Sequence, residues 1–131
     1  MNESKLIRKF RGHETRVGAA SWNSTILATG SRDKTILFRD MRTRRDYQTK
    51  LTDHSQEICG LKWSHDEQYL ASGGNDNKVA VWSGGGQLLN KFSDHKAAVK
   101  AIAWSPHQHG LLATGGGTAD RMLRLRNVFT G

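Results

Sequence analysis

The chain has 131 residues, the length of one ordinary domain, and 20 basic against 12 acidic residues give it a net charge of +8. The basic residues are dispersed rather than gathered into one run, so we expect no nucleic-acid partner; they lie on solvated loops or meet an acidic surface of a larger assembly. The one cysteine, Cys59, excludes an internal disulfide, and its place in an alternating segment predicts a small buried thiol. No apolar stretch is long enough for a signal core or a bilayer span, so we expect no membrane association.

Short alternating segments bounded by polar or Gly-rich turns run along the whole chain, which is the signal for antiparallel strands. In chain order, a weakly alternating segment at 5–10 is followed by predicted strands at 16–22, 25–30, 35–40 and 47–51. The same succession recurs at 57–63, 68–72, 78–82 and 87–92, and it begins again at 98–104, 111–115 and 122–127. The third group has three strands where the others have four, so we expect its outer strand to be missing.

Three residue types recur at a nearly constant interval. Histidines and tryptophans repeat every 41 residues, at His13, His54 and His95 and at Trp22, Trp63 and Trp104. Aspartates in the predicted turns repeat after 43 and 44 residues, at Asp33, Asp76 and Asp120. A period in the low forties with four short strands per repeat is typical of a β-propeller blade. The sequence therefore predicts an all-β fold, a partial propeller with antiparallel blades at about 13–51, 54–92 and 95–127, preceded by the outer strand of another blade at about 5–10.

The repeats resemble WD repeats, which have Gly-His before the first strand, Asp in the turn between the second and third strands, and Trp at the end of the third. Over about residues 5–127 the chain is also similar to the fizzy-related (Cdh-type) co-activators of the anaphase-promoting complex. The segments that carry this resemblance are GSRDKTILFRDMRT at 30–43, QEICGLKWSHD at 56–66, LASGGNDNKVAVW at 70–82 and AAVKAIAWSPHQHGLLATGGGTADR at 97–121.

The resemblance implies a non-catalytic adaptor that brings substrates to a ubiquitin ligase during the cell cycle and cell division. The partners it implies are subunits of the anaphase-promoting complex and substrate proteins that carry a degron. It implies no cofactor, and it places the protein in the nucleus and the cytoplasm.

In WD repeats a His, a Ser or Thr on the second strand, the turn Asp and the closing Trp form a buried hydrogen-bonded chain. The matching residues are His13, Thr29 and Asp33 in the first blade, His54, Ser72, Asp76 and Trp82 in the second, and His95, Thr114 and Asp120 in the third. Arg39 and Arg126 stand where the first and third blades would have the Trp. We therefore expect the third blade to be the least stable.

The recurring His, Ser or Thr, and Asp also bring a catalytic triad to mind. A set repeated in every unit favours a structural network, and no Gly-x-Ser-x-Gly elbow presents a nucleophile, so we expect no enzyme activity. His107 and His109 are interpreted as part of a polar loop, because no Cys or carboxylate stands beside them at metal-ligand spacing. The Gly-rich turns at 84–86 and 115–117 lack the Lys-Ser/Thr of a phosphate-binding loop.

The turns between second and third strands meet at one face of a propeller. Asn75 and Asn77 flank Asp76, whose side chain is expected to point inward to the blade network, and Thr118 precedes the third turn. Asn suits turn geometry in any blade, which is one explanation for this pair. The resemblance implies another: Asn75, Asn77 and Thr118 match residues that bind the Lys-Glu-Asn degron.

Three blades do not close a ring, and the resemblance covers only three of the seven blades of the family. We therefore expect either a fragment, inactive by itself, or an assembly. In the assembly, two copies form a dimer of six blades, and residues 5–10 of one copy lie beside 122–127 of the other. The alternative function is a general WD-repeat scaffold, a self-assembling half-propeller that binds proteins without preference for a degron.

Overall fold

The computed structural model describes residues 9–47, 49–117 and 120–129, which form three antiparallel sheets. The first sheet contains β1 (Val17–Trp22), β2 (Ile26–Ser31), β3 (Ile36–Asp40) and β4 (Thr49–Leu51). The second contains β5 (Ile58–Trp63), β6 (Tyr69–Gly74), β7 (Val79–Ser83) and β8 (Leu88–Phe92). The third contains β9 (Val99–Trp104), β10 (Leu111–Gly116) and β11 (Leu123–Asn127). We call these sheets the first, second and third blade.

Within each blade the strands pair with their neighbours in sequence, so the sheet is a simple meander. The prediction of an all-β, antiparallel fold is confirmed, and the strands begin and end within two residues of the predicted ones. The predicted strand at 5–10 falls largely outside the described residues, and Lys9 and Phe10 are not in a strand. The described parts of the chain contain no helix with the length and apolar character of a membrane span.

The innermost strand of every blade has a bulge at the same place. The ladder between the first two strands skips Gly18 in the first blade, Cys59 in the second and Lys100 in the third. A bulge leaves one residue unpaired and turns it out of the regular ladder. The three bulged residues therefore stand at equivalent points of the inner strands.

The core lies between the blades. One apolar cluster joins the first and second blades around Phe38, Ile58 and Trp63, and another joins the second and third around Val81 and Trp104. A tryptophan hydrogen bond joins each pair of neighbouring blades: Trp63 Nε1–H donates to Ser21 O at 3.1 Å, and Trp104 Nε1–H donates to Lys62 O at 3.0 Å. Because the second blade is covered on each side, both faces of its strands β5–β7 carry apolar residues.

Glycine allows the inner strands to approach closely. A Cβ atom at Gly73 on β6 would collide with the backbone carbonyl of Val99 at the start of β9. A Cβ atom at Gly30 on β2 would collide in the same way with the side chain of Ile58 on β5. The equivalent glycines of two blades thus both allow the next blade to pack closely.

Candidate peptide-binding face

The second blade contains the complete hydrogen-bonded chain predicted from the sequence. His54 Nδ1 lies 3.0 Å from Asp76 Oδ2, and His54 Nε2 lies 2.8 Å from Ser72 Oγ. Trp82 Nε1–H donates to the same Ser72 Oγ at 2.9 Å. Ser72, with no exposed surface, is therefore the centre of the chain.

The protonation states of His54 and Asp76 in this hydrogen-bonded network follow from their surroundings. Burial lowers the pKa of His54, and the nearby Asp76 carboxylate offsets this only in part, so the imidazole is neutral. Burial by itself raises the pKa of Asp76, but the Ser55 amide, His54 and the Lys78 amide together bring it below its ordinary value. An ionised carboxylate only accepts, so His54 Nδ1–H donates to Asp76 and Ser72 Oγ–H donates to Nε2. Every proton in the chain then has one acceptor, and the arrangement is structural.

In the first blade Arg39 stands in the place of the closing Trp, and its guanidinium supplies the hydrogen-bond donor that the indole supplies in the second blade. His13 Nε2 lies 2.9 Å from Thr29 Oγ1, and Arg39 Nε donates to that hydroxyl at 3.0 Å, as Trp82 does to Ser72. Arg39 Nη1 also donates to the backbone carbonyls of residues 11 and 46, at 2.6 and 2.8 Å. Burial lowers the pKa of the Arg39 guanidinium, and the Asp46 carboxylate opposes that shift.

Asp33 completes the network of the first blade, 3.2 Å from His13 Nδ1. Burial alone would raise the pKa of Asp33, but the Thr35 hydroxyl, the amides of Glu14 and Thr35 and the His13 ring lower it to about 2. The carboxylate is therefore ionised and fixed by several donors, which holds the turn between β2 and β3.

The third blade has the same network with weaker support. His95 lies 2.6 Å from Asp120 Oδ2 and 2.8 Å from Thr114 Oγ1, and the His95 hydrogen bond lowers the pKa of Asp120. Arg126 Nη2 donates to Thr114 Oγ1 at 3.3 Å and to Asp94 at 3.0 Å, and its guanidinium lies 4.2 Å from the centre of the Phe92 ring. Among the described residues, the buried polar side-chain atoms without a hydrogen-bond partner all lie in this blade: Asp120 Oδ1, Arg124 Nε and Arg126 Nε.

We call the end of the blades that carries the β2–β3, β6–β7 and β10–β11 turns the turn face. Asn75 and Asn77 lie there, in the β6–β7 turn on either side of Asp76. The backbone N–H of Asn75 donates to Glu57 O at 2.8 Å, and its exposed side-chain amide donates to Glu57 Oε1 at 3.5 Å. Thr118, the third residue predicted for this site, lies outside the described residues.

The third turn is longer than the other two. Arg32 N and Asn75 N donate to the carbonyls of Arg16 and Glu57, and in the third blade Gly117 N makes the equivalent bond to Ala98 O. Aligning the turns on their aspartates, as the sequence suggests, pairs Asn75 with residue 119, whereas the backbone bonds pair it with Gly117. The two extra residues are 118 and 119, and both lie outside the described residues.

Turn geometry favours Asn at residue 77 but does not require it. Asn77 has a φ of 66°, in the left-handed region that Asn tolerates better than most residues. At the equivalent turn positions, Lys34 has a φ of 73° and Arg121 a φ of 57°. Because two long side chains occupy the same conformation, the backbone accepts residues other than Asn.

An ion pair that the sequence does not reveal lies beside Asn75. Arg16 Nε and Nη2 donate to the two carboxylate oxygens of Glu57 at 3.0 and 3.1 Å, which joins the first blade to the second. The hydrogen bonds and charge of Arg16 lower the pKa of Glu57. The one available signal was position, since Arg16 and Glu57 each stand three residues after the repeating His of their blade.

Asn75 and this ion pair lie on the rim of a cavity of about 450 Å³, whose lining also includes the three bulged residues. Lys100 and Arg16 bring two positive charges and Glu57 one negative charge, so the cavity is net cationic. Cys59 is half-buried there rather than fully buried as expected; its thiol donates to Val99 O at 3.2 Å and burial raises its pKa.

The histidines at the opposite end of the blades are not brought to a metal-ligand arrangement. Among residues 9–47, 49–117 and 120–129, no group of three or more His, Cys, Asp or Glu side chains is placed to hold a metal ion. His109 instead pairs with Asp66 of the second blade at 2.8 Å and stacks on Phe129.

Comparison with known proteins places this geometry in a family. The WD domain, G-beta repeat family matches residues 4–40, 45–83 and 86–127. The chain belongs to this WD-repeat family. The second and third matches each begin just before the outer strand of one blade and end with the third strand of the next, so a WD sequence repeat and a structural blade are offset by one strand.

The relatives of these WD repeats confirm the resemblance to the fizzy-related proteins. The chain is 59% identical to "Protein FIZZY-RELATED 1" of Arabidopsis thaliana over 127 residues, which is 96% of this chain and 27% of the relative. It is 53% identical to "APC/C activator protein CDH1" of Saccharomyces cerevisiae over 96% of this chain and 22% of the relative. The chain thus spans about a quarter of the length of these proteins. The expectation of a non-catalytic protein is confirmed by this family.

A solved structure confirms the WD propeller architecture. A chain in the structure described as "Crystal Structure of Mitotic Checkpoint Complex" matches with a TM-score of 0.92 and 45% identity. The match covers 95% of the WD-repeat chain and 39% of the solved chain.

Proposed function

We propose that this WD-repeat chain is part of an activator of the anaphase-promoting complex, and that its turn face binds the Lys-Glu-Asn degron of substrate proteins. In this role it is an adaptor without chemistry of its own, and its partners are subunits of that complex and degron-bearing substrates. It acts in the nucleus and the cytoplasm. The identity to activators over nearly the whole chain supports the assignment.

The observation that carries the degron site is the exposed Asn75 amide on the rim of a cationic cavity. Glu57 holds the Asn75 side chain through one N–H, which leaves the amide oxygen and the second N–H free for a peptide. Asn77 adds a second amide two residues further in the same turn. Arg16 and Lys100 supply positive charge for the Glu carboxylate of the degron.

The test is the affinity of a fluorescently labelled Lys-Glu-Asn peptide, measured by anisotropy. We expect Asn75→Ala and Asn77→Gly each to weaken binding by about 1–3 kcal/mol, because each leaves a polar group of the peptide unpaired. Gly is chosen at residue 77 because it accepts a positive φ without strain.

Two controls keep the result specific. Gln108→Ala removes an exposed amide from the opposite end of the third blade and is expected to leave the affinity unchanged. A peptide with Ala in place of the three degron residues is expected not to bind. Equal affinity of the wild type, Asn75→Ala and Asn77→Gly for the degron peptide would refute the site.

A further inference from the structure

Three cations surround one carboxylate beside Asn75. Arg16 of the first blade donates to both carboxylate oxygens of Glu57 at 3.0 and 3.1 Å. Arg32 lies next to Arg16, because its backbone N–H donates to Arg16 O at 3.1 Å, and Lys100 lines the same cavity as Glu57. The Arg16 hydrogen bonds are the main cause that lowers the pKa of Glu57, and the charges of Arg32 and Lys100 lower it further. The cluster therefore lies where the three blades face one another.

The charges in this cluster do not balance. Arg16, Arg32 and Lys100 carry three positive charges and Glu57 carries one negative charge, which leaves two positive charges in excess. The aspartates of the first two turns are directed to the histidines and backbone amides of their own blades rather than to this cluster.

Two of the three cations have no anionic partner of their own. In the described parts of the chain, neither the Arg32 guanidinium nor the Lys100 ammonium forms a hydrogen bond or a direct ion pair, and both residues are exposed. Arg16 differs from them, since both oxygens of Glu57 hold its guanidinium. Arg32 and Lys100 can therefore bind an anion that a partner brings.

The inner strands leave room for such an anion. The bulged residues of the first and second blades, Gly18 and Cys59, are small, whereas the third blade has Lys100 at this point. A Cβ atom at Gly18 would lie 3.3 Å from Glu57 Oε2, so the carboxylate lies directly over this glycine. The long side chain of Lys100 thus enters a cavity of about 450 Å³ that two small residues keep open.

A Lys-Glu-Asn degron does not use all of this positive charge. It brings one carboxylate, that of its Glu, while its Asn is neutral and its Lys is positive. Because the cluster has two positive charges in excess, one of them remains for a second carboxylate. Residues of an extended peptide are spaced about 3.3–3.6 Å apart, so a side chain within a few positions of the degron reaches the cluster beside Asn75.

We propose that Arg32 and Lys100 form a subsite for an acidic residue of the substrate next to the degron, so that the turn face selects degrons with a neighbouring Asp or Glu. Arg32 is the specificity-determining residue of this subsite, since Lys100 also serves the Glu of the degron. This subsite rests on the proposed degron site.

The test compares three labelled peptides by fluorescence anisotropy. One carries Lys-Glu-Asn between neutral residues, one has two Glu residues before the degron, and one has two Glu residues after it. We expect at least one acidic peptide to bind about three- to tenfold more tightly than the neutral one. Salt screens exposed charges, so this gain is expected to fall below about twofold as salt is raised from about 50 mM to about 500 mM.

Two variants of Arg32 and one matched control locate the subsite. Arg32→Gln is expected to remove most of the gain, and Arg32→Glu to make the same acidic peptide bind more weakly than the neutral one. Arg44→Gln removes an equal charge from an exposed residue of the β3–β4 loop, at the opposite end of the first blade, and is expected to keep the full gain. Far-ultraviolet circular dichroism verifies that each variant is folded.

The outcomes separate this subsite from the degron site. A neutral degron peptide that does not bind would refute the degron site, and the subsite with it. A neutral peptide that binds as tightly as both acidic peptides would overturn the subsite alone. A gain that both Arg32→Gln and Arg32→Glu leave unchanged would also overturn it.

Discussion

Ser72→Ala is the most informative perturbation of a blade, since this hydroxyl is the centre of the second network. It accepts from Trp82 Nε1 at 2.9 Å and donates to His54 Nε2 at 2.8 Å. Removing one oxygen leaves the indole N–H and the imidazole nitrogen buried without a partner. Each unsatisfied buried group costs about 1–3 kcal/mol, so we expect the free energy of unfolding to fall by about 3–4 kcal/mol.

The expected change is large enough for thermal denaturation. Proteins of this kind unfold with an entropy of about 2.1 cal/mol/K per residue, so for 131 residues a loss of about 3 kcal/mol lowers Tm by roughly 10 °C. The midpoint is followed by tryptophan fluorescence or circular dichroism. Ser24→Ala, at an exposed serine outside the network, is the matched control and is expected to leave Tm unchanged.

Two further variants test the cause of the loss. Ser72→Thr keeps the hydroxyl that Thr29 and Thr114 supply in the other blades, so we expect it to lose less stability than Ser72→Ala even though its extra methyl group enters a buried site. In the pair Ser72→Ala with Trp82→Phe the unpaired indole N–H is gone, so the combined loss is expected to be smaller than the sum. A loss below about 1 kcal/mol for Ser72→Ala, or an equal loss for Ser72→Thr, would refute the reasoning.

Three other results follow from the blade networks. Arg39→Met removes three hydrogen bonds of a buried guanidinium and is expected to lower the free energy of unfolding, measured by urea denaturation, by about 2 kcal/mol. A change below about 0.5 kcal/mol would contradict the role of Arg39 as the replacement for Trp. Stability is expected to fall as pH drops below about 6.5, because the unfolded chain protonates His54 while burial keeps it neutral in the fold. A second loss comes between the ordinary pKa of Asp33, 3.8, and its folded value of about 2. Urea midpoints measured across pH report both losses. We expect His54→Gln to remove the loss below pH 6.5, and His107→Gln, at an exposed histidine, to leave it unchanged. A stability profile that is flat between pH 5 and 6.5 would contradict the assignment to His54. Hydrogen exchange is expected to be faster in β9–β11 than in β5–β8, because the described buried side-chain atoms that lack a hydrogen-bond partner lie in the third blade; equal protection would contradict this.

The fold could be predicted because its determinants are local and repeated. Strand alternation, polar turns and the fixed spacing of His54, Trp63 and Asp76 from their counterparts all describe the same unit. A register error by one residue would turn Phe38 or Val81 away from the apolar cluster in which it packs.

The details of the site could not be predicted in the same way, since they depend on where long side chains reach. Arg39 looks like a lost Trp in the sequence, yet its Nε–H takes the place of the indole donor. The pairing of Arg16 with Glu57 crosses between blades and needs the blade angle to be known. The bulge that brings Lys100 to the cavity leaves no mark in the residue pattern.

The central claim, that the turn face reads a degron, is tested most directly by nuclear magnetic resonance of the ¹⁵N-labelled chain titrated with a Lys-Glu-Asn peptide. We expect amide shifts that saturate together at Asn75, Asn77 and Glu57, with none at Gln108 at the opposite end of the blades. We also expect Asn75→Ala to weaken this response. Saturating shifts confined to another surface, or a response that Asn75→Ala leaves unchanged, would contradict it.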